Sequence, residues 1–256
     1  MIKLSAVIIT FNEEKNIERC LQSLAGIADE IVVIDSNSTD NTKIICEKFK
    51  ARVINHLFEG HIEQKNFAIT QAVFPHILSL DADESLDEIL RSEILSVKNS
   101  FTVEGYTMNR MTNYAGQWIK HCGWYPDVKL RLWDSRKGQW GGLNPHDKFE
   151  MFNSKAPLKH LKGNILHYSY YHVAEHQSRA IRYAEIAAKG MYEKGVTIST
   201  PMIYVKTISK FIRNYILNLG FLDGKNGFLI CKITAYETWF KYKMLRELKT
   251  KKPVTK

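Results

Sequence analysis

Two aspartates one residue apart are the sharpest chemical signal in this sequence. Asp81 and Asp83 directly follow the short apolar run 77–80. Carboxylates spaced in this way in a turn can approach a hard divalent cation from the same side, and Mg²⁺ or Mn²⁺ held there bridges phosphate oxygens. A structural alternative is that Asp81 caps the helix that runs through Glu88, with Asp83 and Glu84 in its first turn. Capping and metal binding can coexist.

Two earlier apolar runs, residues 4–10 and 30–35, also end in polar, acid-containing segments. A carboxylate at Asp35 can accept hydrogen bonds from a base edge or a ribose. Asn12 and Glu13 after the first run either meet the nucleoside or open the following helix. These positions predict a nucleotide site made of strand ends.

The pattern around these residues predicts an α/β fold. The three runs are rich in β-branched residues, which is typical of strands buried on both faces, and helical periodicity lies between them. Strands that alternate with helices favour a parallel sheet, in which ligands bind beyond the carboxyl ends of the strands. Residues 101–170 predict antiparallel strands and loops over the site, and helices follow, namely one over 174–195, a second from Pro201 and a third ending near Lys249.

No glycine-rich phosphate loop of a known kind occurs in the sequence. A pyrophosphate would therefore need a metal and side chains for neutralisation. Gln64, Lys65 and Asn66 are the candidate donors of hydrogen bonds to it.

In their order along the chain, these segments resemble the family 2 glycosyltransferases with the GT-A fold. The resemblance covers residues 4–85 and rests on the segments around Asn12, Asp35, Lys65 and Asp81. Four later segments resemble the bacterial branch that adds sugars to the lipopolysaccharide inner core, namely residues 131–133, 144–147, 167–170 and 220–224.

The resemblance implies an architecture. We expect a mostly parallel central sheet flanked by helices, followed by a C-terminal helical extension. The catalytic domain would span residues 1–172, with a nucleotide-binding half (1–100) and an acceptor-side half (101–172). Residues 173–256 would form the basic amphipathic extension.

The resemblance also implies an activity. The enzyme would transfer a hexose, which we expect to be glucose, from a UDP-sugar to a glycan or lipid-linked acceptor, with inversion, in the synthesis of lipopolysaccharide or a related envelope glycan. By this resemblance, Asp35 contacts uracil, Asp81 touches ribose or metal, and Asp83 binds Mg²⁺ or Mn²⁺. His167 either ligates the metal, touches phosphate or is an ordinary core or loop histidine. The expected donor-binding residues are Thr10, Phe11, Asn12, Glu13, Asp35, Lys65, Asp81, Ala82 and Arg131.

Asp147 is the expected catalytic base. An acceptor hydroxyl has a very high pKa, so a positioned carboxylate must take its proton during attack. The branch has a His-Glu pair where His146 and Asp147 stand here, so the reach of this side chain is one methylene shorter. Lys65 replaces an arginine of the branch and would act on phosphate as a point charge, together with Arg131.

The positive charge is concentrated in the tail. Residues 1–200 contain 24 Lys and Arg against 24 Asp and Glu, whereas residues 201–256 contain 12 against 3. Basic helices with apolar stripes suit an anionic membrane surface. The alternatives are packing on the catalytic domain, oligomerisation through these helices, or a solvated tail.

The absence of a signal peptide, of an apolar run of about 18 residues and of paired cysteine motifs predicts a cytoplasmic protein, peripheral at the inner face of the membrane. Two other classes of protein share some of these features. A sugar-phosphate nucleotidyltransferase would need a Gly- and Arg-rich loop where residues 10–14 stand. The third class is a non-catalytic module that binds nucleic acid or a membrane. Binding to nucleic acid is disfavoured, because the α/β part lacks excess positive charge and a recognised binding motif.

Overall fold

A computed structural model describes residues 1–143 and 146–250, without the side chains of residues 143 and 146. The first elements are β1 (Leu4–Thr10), α1 (Ile17–Leu24), β2 (Glu30–Asp35), α2 (Thr42–Lys48), β3 (Arg52–Asn55), α3 (His61–Thr70), β4 (His76–Asp81), β5 (Glu84–Leu86) and α4 (Glu88–Asn99). Then follow β6 (Gly105–Tyr114), β7 (Gln117–Trp118), β8 (Asp127–Asp134), a 3₁₀ turn (Ser135–Lys137), β9 (Gly138–Leu143), β10 (His146–Met151) and β11 (Leu158–Tyr170). The last are α5 (Val173–Glu193), α6 (Thr200–Ile212), a π-helical turn (Arg213–Leu217), a 3₁₀ turn (Gly220–Asp223) and α7 (Gly224–Thr250).

A nine-stranded sheet organises the fold, in the order β3-β2-β1-β4-β8-β6-β11-β5, with β7 paired to β6. Its first four strands are parallel, as the alternation of strands and helices predicted. From β8 onward the pairing is antiparallel at β4–β8, β6–β8 and β11–β5, which confirms antiparallel strands within residues 101–170. Strands β9 and β10 form a separate antiparallel pair.

Alternating side chains of the parallel strands enter two hydrophobic cores, because successive residues of a strand point to opposite faces. Ile8, Val33 and Leu78 belong to one core, which also contains the apolar faces of α1 and α4. Val7 and Val32 belong to the other, with Ala68 of α3 and the large side chains Trp133, Trp140 and Phe149. Burial on both faces explains the continuous apolar runs in the sequence.

Asp87, not Asp81, caps helix α4. The Asp87 carboxylate accepts a hydrogen bond from the backbone N–H of Leu90 at 2.8 Å. The expectation that Asp81 caps this helix is therefore wrong, because the short strand β5 intervenes between the two. Asp81 keeps its side chain for other partners.

The chain divides into two compact units. The first comprises Met1–Met111 and Pro126–Tyr168, and the second comprises Thr112–Tyr125 and the chain from Ser169 onward. The domain boundary at residue 172 stays a prediction, and the structure adds residues 112–125 to the unit that holds the C-terminal helices.

The second unit has its own core, in which Tyr114, Ile119 and Cys122 meet Ile230 and Cys231 of α7. Helices α5 and α6 both pack against α7. The three helices begin and end close to their predicted positions. In the described residues, no helix is long and apolar enough to cross a bilayer.

Helix α7 starts in close contact with the preceding 3₁₀ turn. A Cβ on Gly227 would lie 1.9 Å from the backbone oxygen of Gly220, so only glycine allows this approach. The buried carboxylate of Asp223 holds the same turn, since it accepts from the backbone N–H of His121 at 2.9 Å. The glycine-bounded break at residues 220–224 thus has a packing role.

Candidate active site

The carboxyl ends of three neighbouring strands meet at one edge of the sheet. Thr10 of β1 lies opposite Asp35 of β2, and Ile9 lies opposite Asp81 of β4. The polar segments that follow these strands therefore start side by side, as the sequence predicted.

Side chains tie the loop after β1 to the loop after β2. The backbone N–H of Asn12 donates to Ser38 Oγ at 2.9 Å, and the Asn12 side chain accepts from the N–H of Thr39 at 2.8 Å. Asn12 itself has a φ of 54°, a left-handed conformation that asparagine tolerates better than most residues. Asn12 thus shapes the loop, and any contact with a donor would come in addition.

Asp35 is fully buried and half satisfied. Its Oδ2 accepts from the backbone N–H of Ser38 at 2.8 Å, whereas its Oδ1 is buried without a hydrogen-bond partner. Thr10 Oγ1 is in the same condition. Buried polar atoms without partners are uncommon and need an explanation, which a bound ligand would supply.

The other expected donor residues differ in their surroundings. Phe11 is 57% exposed at the strand end. The Glu13 side chain accepts a hydrogen bond from Asn16 Nδ2 at 2.7 Å, and its backbone oxygen accepts one from the N–H of Ile17, the first residue of α1. These contacts agree with the alternative in which Glu13 starts the helix, and its contact with a donor stays a prediction. Ala82 is buried in the core shared with α1, so only its backbone can meet a donor.

Asp81 lies between two cations. Its Oδ1 is 2.9 Å from Lys65 Nζ, and its Oδ2 is 3.2 Å from an Arg131 side-chain nitrogen. Burial alone would raise the pKa of Asp81, but the charges of Lys65 and Arg131 outweigh it and hold that pKa well below the ordinary value. Asp81 is therefore an anion at neutral pH. Its Oδ2 accepts a hydrogen bond from Arg131, whereas its buried Oδ1 contacts Lys65 as an ion pair without a hydrogen bond.

Glu84 is buried and pairs with two arginines; it lies in strand β5 and not in the first turn of α4. Its Oε1 lies 3.0 Å from Arg131 and 3.3 Å from Arg110, and its Oε2 accepts from the backbone N–H of Asp81 at 3.0 Å. Arg110 also pairs with Asp127 at 2.8 Å. Glu84 was expected beside the aspartate pair or in a helical turn, without these partners. Arg110 was not expected in the site, and the only sequence signal for it was its place in an alternating strand.

Asp83 and His167 form a separate pair beside this network. His167 Nε2 lies 3.2 Å from Asp83 Oδ2, and the register of β11 with β5 places His167 opposite Glu84. Burial by itself would raise the pKa of Asp83. The contact with His167 has the opposite effect, and the pKa of Asp83 lies below its ordinary value. His167 Nδ1 is buried without a hydrogen-bond partner.

The pair has the donor chemistry for a small divalent cation. Mg²⁺ is commonly held by one or two carboxylates together with substrate phosphates, so Asp83, with His167 beside it, could hold such an ion once a diphosphate adds its oxygens. Over the described residues, no group of three or more His, Cys, Asp and Glu side chains is arranged to hold a metal by itself. Asp81 does not join the pair here, because Lys65 and Arg131 occupy its oxygens.

Lys65 connects Asp81 to the expected base. Its Nζ lies 2.8 Å from Asp147 Oδ2 while it also contacts Asp81. The lysine is 3% exposed and lies over the ring of Trp140, at 4.5 Å from the ring centroid. A cavity of about 910 Å³ opens at this point, and its lining includes Lys65, Asp81, Arg110, Arg131, Trp140 and Asp147.

The neighbours of Lys65 on α3 do not face this cavity. Gln64 donates to Ser36 Oγ at 3.0 Å, and Asn66 exchanges two hydrogen bonds with the backbone of Trp140. The prediction that these two residues donate hydrogen bonds to a pyrophosphate is wrong in this structure, because their amides are bonded to neighbouring loops instead. Residues 144 and 145 of the segment before Asp147 lie outside the described residues, as does the side chain of residue 146.

Comparison with known proteins agrees with this geometry. The model of "Glycosyl transferase family 2" matches residues 5–144, more than half of the chain. An uncharacterized glycosyltransferase of Rickettsia felis is 29% identical over 100% of this chain and 94% of its own length. The lipopolysaccharide core biosynthesis glycosyltransferase LpsC of Rhizobium meliloti is 28% identical over 91% of each chain.

Among solved structures, glucosyl-3-phosphoglycerate synthase from Mycobacterium tuberculosis, in complex with Mn²⁺ and UDP-glucose, aligns at a TM-score of 0.37 and 20% identity over 44% of each chain. An alignment of that extent carries no argument about ligands. The family match covers the carboxyl ends of β1, β2 and β4 and stops before Asp147 and His167, and it decides against the nucleotidyltransferase and non-catalytic alternatives. The chain belongs to glycosyl transferase family 2, with the GT-A fold, and is a glycosyltransferase.

Proposed function

We propose that this enzyme transfers glucose from UDP-glucose, with inversion, to a glycan or lipid-linked acceptor of lipopolysaccharide or a related envelope glycan. The relative named for lipopolysaccharide core biosynthesis, which aligns over 91% of this chain, supports the acceptor class. The buried, unpartnered oxygen of Asp35 at the strand edge supports a nucleoside as the donor's recognised part.

The observation that carries the proposal is the position of Lys65. One ammonium group lies within 2.9 Å of Asp81, on the donor-side strand edge, and within 2.8 Å of Asp147, the proposed base. The donor and acceptor halves of a transfer site must meet within a few ångströms at the reacting carbon. Lys65 marks that meeting point in the cavity.

Charge supports a metal requirement. The ion-paired network has four carboxylates, namely Asp81, Glu84, Asp127 and Asp147, and four cations, namely Lys65, Arg110, Lys129 and Arg131, and Asp83 beside it adds one further negative charge. Because each of these cations already pairs with a carboxylate, the network has no surplus positive charge for a diphosphate, and positive charge has to come with the donor. We assign Mg²⁺ or Mn²⁺ to Asp83 and His167, which would hold the ion, and the ion would neutralise charge on the leaving diphosphate.

Lys65 also has to release the base. In this structure Lys65 Nζ lies 2.8 Å from Asp147 Oδ2, so it occupies one of the two oxygens that could accept the proton of the acceptor hydroxyl. An arriving diphosphate offers Lys65 a more highly charged partner, and the move frees Asp147 to accept the proton of the acceptor hydroxyl. A single carboxylate base and direct displacement give an inverted product.

Thermal unfolding with a panel of nucleotide sugars tests the donor. With Mn²⁺ and the ligand at about 100 times Kd, UDP-glucose should stabilise the folded chain by about 2.7 kcal/mol, which raises Tm by about 5–11 °C. GDP-mannose and Mn²⁺ alone serve as controls and should have little effect. A shift produced by a GDP-sugar and by no UDP-sugar would contradict the assignment of the nucleotide.

A further inference from the structure

The outward face of α6 is apolar. Six side chains on it and on the following π-helical turn are all exposed, namely Met202, Tyr204, Val205, Ile208, Ile212 and Ile216. Ile208 is 58% exposed, and its helical neighbours four residues away belong to the same stripe. By contrast, Ile203 and Asn214 on the opposite side are buried. The apolar stripe foreseen in the sequence therefore faces away from the packed side of its helix.

The turns after α6 extend the same surface. Leu217, Leu219, Phe221 and Leu222 are all exposed, with Leu217 at 71%. Exposed apolar surfaces of this size are uncommon on soluble monomers and mark contact with another phase or partner. We refer to the ten exposed residues from Met202 to Leu222 as the α6 surface.

Basic side chains border the α6 surface. Lys206 and Arg213 are exposed on the flanks of the helix, with Lys206 Nζ 5.8 Å from the ring centroid of Tyr242 on α7, and Lys225 follows the last turn. Where α6 begins, a cavity of about 290 Å³ is lined by Tyr204, Trp239, Lys243, Arg246 and Glu247 among others, and Lys243 lies 3.7 Å from Glu247.

We propose that the α6 surface inserts into the headgroup region of an anionic lipid bilayer. A second copy of the chain is the less suitable occupant, because residues 200–250 hold nine Lys and Arg against three Asp and Glu. Two such surfaces would repel one another, whereas an anionic bilayer attracts both the lysines and the apolar stripe. The enzyme would thus lie peripherally at the inner face of the cytoplasmic membrane, and this binding does not depend on the identity of the donor.

Co-sedimentation of the full chain with vesicles tests the surface. The wild type should bind vesicles of phosphatidylcholine that contain about 30% phosphatidylglycerol, and it should bind vesicles of pure phosphatidylcholine only weakly. Ile208→Ser with Ile212→Ser should lower the partition coefficient by about tenfold or more, since both side chains are exposed and their loss leaves the core intact. Lys206→Gln with Arg213→Gln should lower binding to the anionic vesicles on the order of tenfold.

A matched control removes two exposed apolar residues from the first unit. Ile44→Ser with Val73→Ser, at 54% and 70% exposure, should change vesicle binding by less than about twofold. Equal binding of the Ile208→Ser, Ile212→Ser variant and the wild type would overturn the proposal. So would light scattering that shows a lipid-free dimer which the same variant converts to a monomer. Calorimetry with UDP-glucose should give equal affinities for all variants, which separates failure of this surface from failure of the proposed function.

Discussion

Replacement of Asp147 by Asn should lower kcat by about 10²- to 10⁴-fold, the range that a positioned general base contributes. Asparagine has nearly the same shape and can still accept the hydrogen bond from Lys65, which lies 2.8 Å from the carboxylate. It cannot take a proton from the acceptor hydroxyl. Donor binding, measured by calorimetry with Mn²⁺, should stay within about threefold, because the change spares the strand edge.

Two variants control this result. Glu150→Gln alters another carboxylate of the same strand and cavity, and we expect turnover within about threefold of the wild type. Asp147→Glu keeps the carboxylate and restores the length that the related branch has at this position, so it should retain most of its activity. If Asp147→Asn keeps most of its turnover, the base is a different group.

Asp83→Asn should weaken the Mn²⁺-dependent binding of UDP-glucose by about 100-fold or more, because a carboxylate ligand supplies much of the charge that holds a hard cation. The amide can keep a contact with His167, which lies 3.2 Å from the native carboxylate, so the fold should survive. Isothermal titration with and without EDTA measures the effect. The wild type should lose affinity in EDTA, whereas the variant should be weak in both conditions.

The control for Asp83 lies on the next helix. Glu88 is 92% exposed at its side chain, and Glu88→Gln removes the same charge close by in the sequence without touching the strand edge. We expect its titration to match the wild type. Equal affinity of Asp83→Asn and the wild type in Mn²⁺ would remove the metal from this aspartate.

The sequence was most informative where burial leaves a simple pattern. Strands β1, β2 and β4 are buried on both faces, so their apolar runs could be recognised, and the place where each run ends located Thr10, Asp35 and Asp81. Parallel register then brought these ends together without any further information. This much of the site follows from local sequence and from general rules of parallel sheets.

Contacts between distant segments could not be predicted in the same way. Strand β5 has three residues, and its partner β11 lies some 80 positions later, so nothing near Glu84 announces that His167 lies opposite it. The ion pairs of Glu84 with Arg110 and Arg131 depend on the antiparallel order β8-β6-β11-β5, which only the assembled sheet defines. The structural alternative that put Glu84 in the first turn of a helix consequently could not foresee these pairs.

Side-chain direction was the second limit. Gln64, Lys65 and Asn66 are consecutive polar residues, and only the orientation of α3 determines that Lys65 alone faces the cavity. The same limit applies to α6, whose periodicity predicted an apolar stripe but not its direction. Exposure of Ile208 and Ile212 in the structure supplies that direction.

A crystal structure of the enzyme with Mn²⁺ and UDP, with the metal located by anomalous scattering, tests the central claim most directly. We expect Mn²⁺ bonded to Asp83 at about 2.1–2.2 Å, with diphosphate oxygens completing its shell. Lys65 Nζ should lie on the diphosphate, and its 2.8 Å contact with Asp147 should be broken. Mn²⁺ and UDP bound away from Asp83, or a bound diphosphate that leaves the Lys65–Asp147 pair intact, would contradict it.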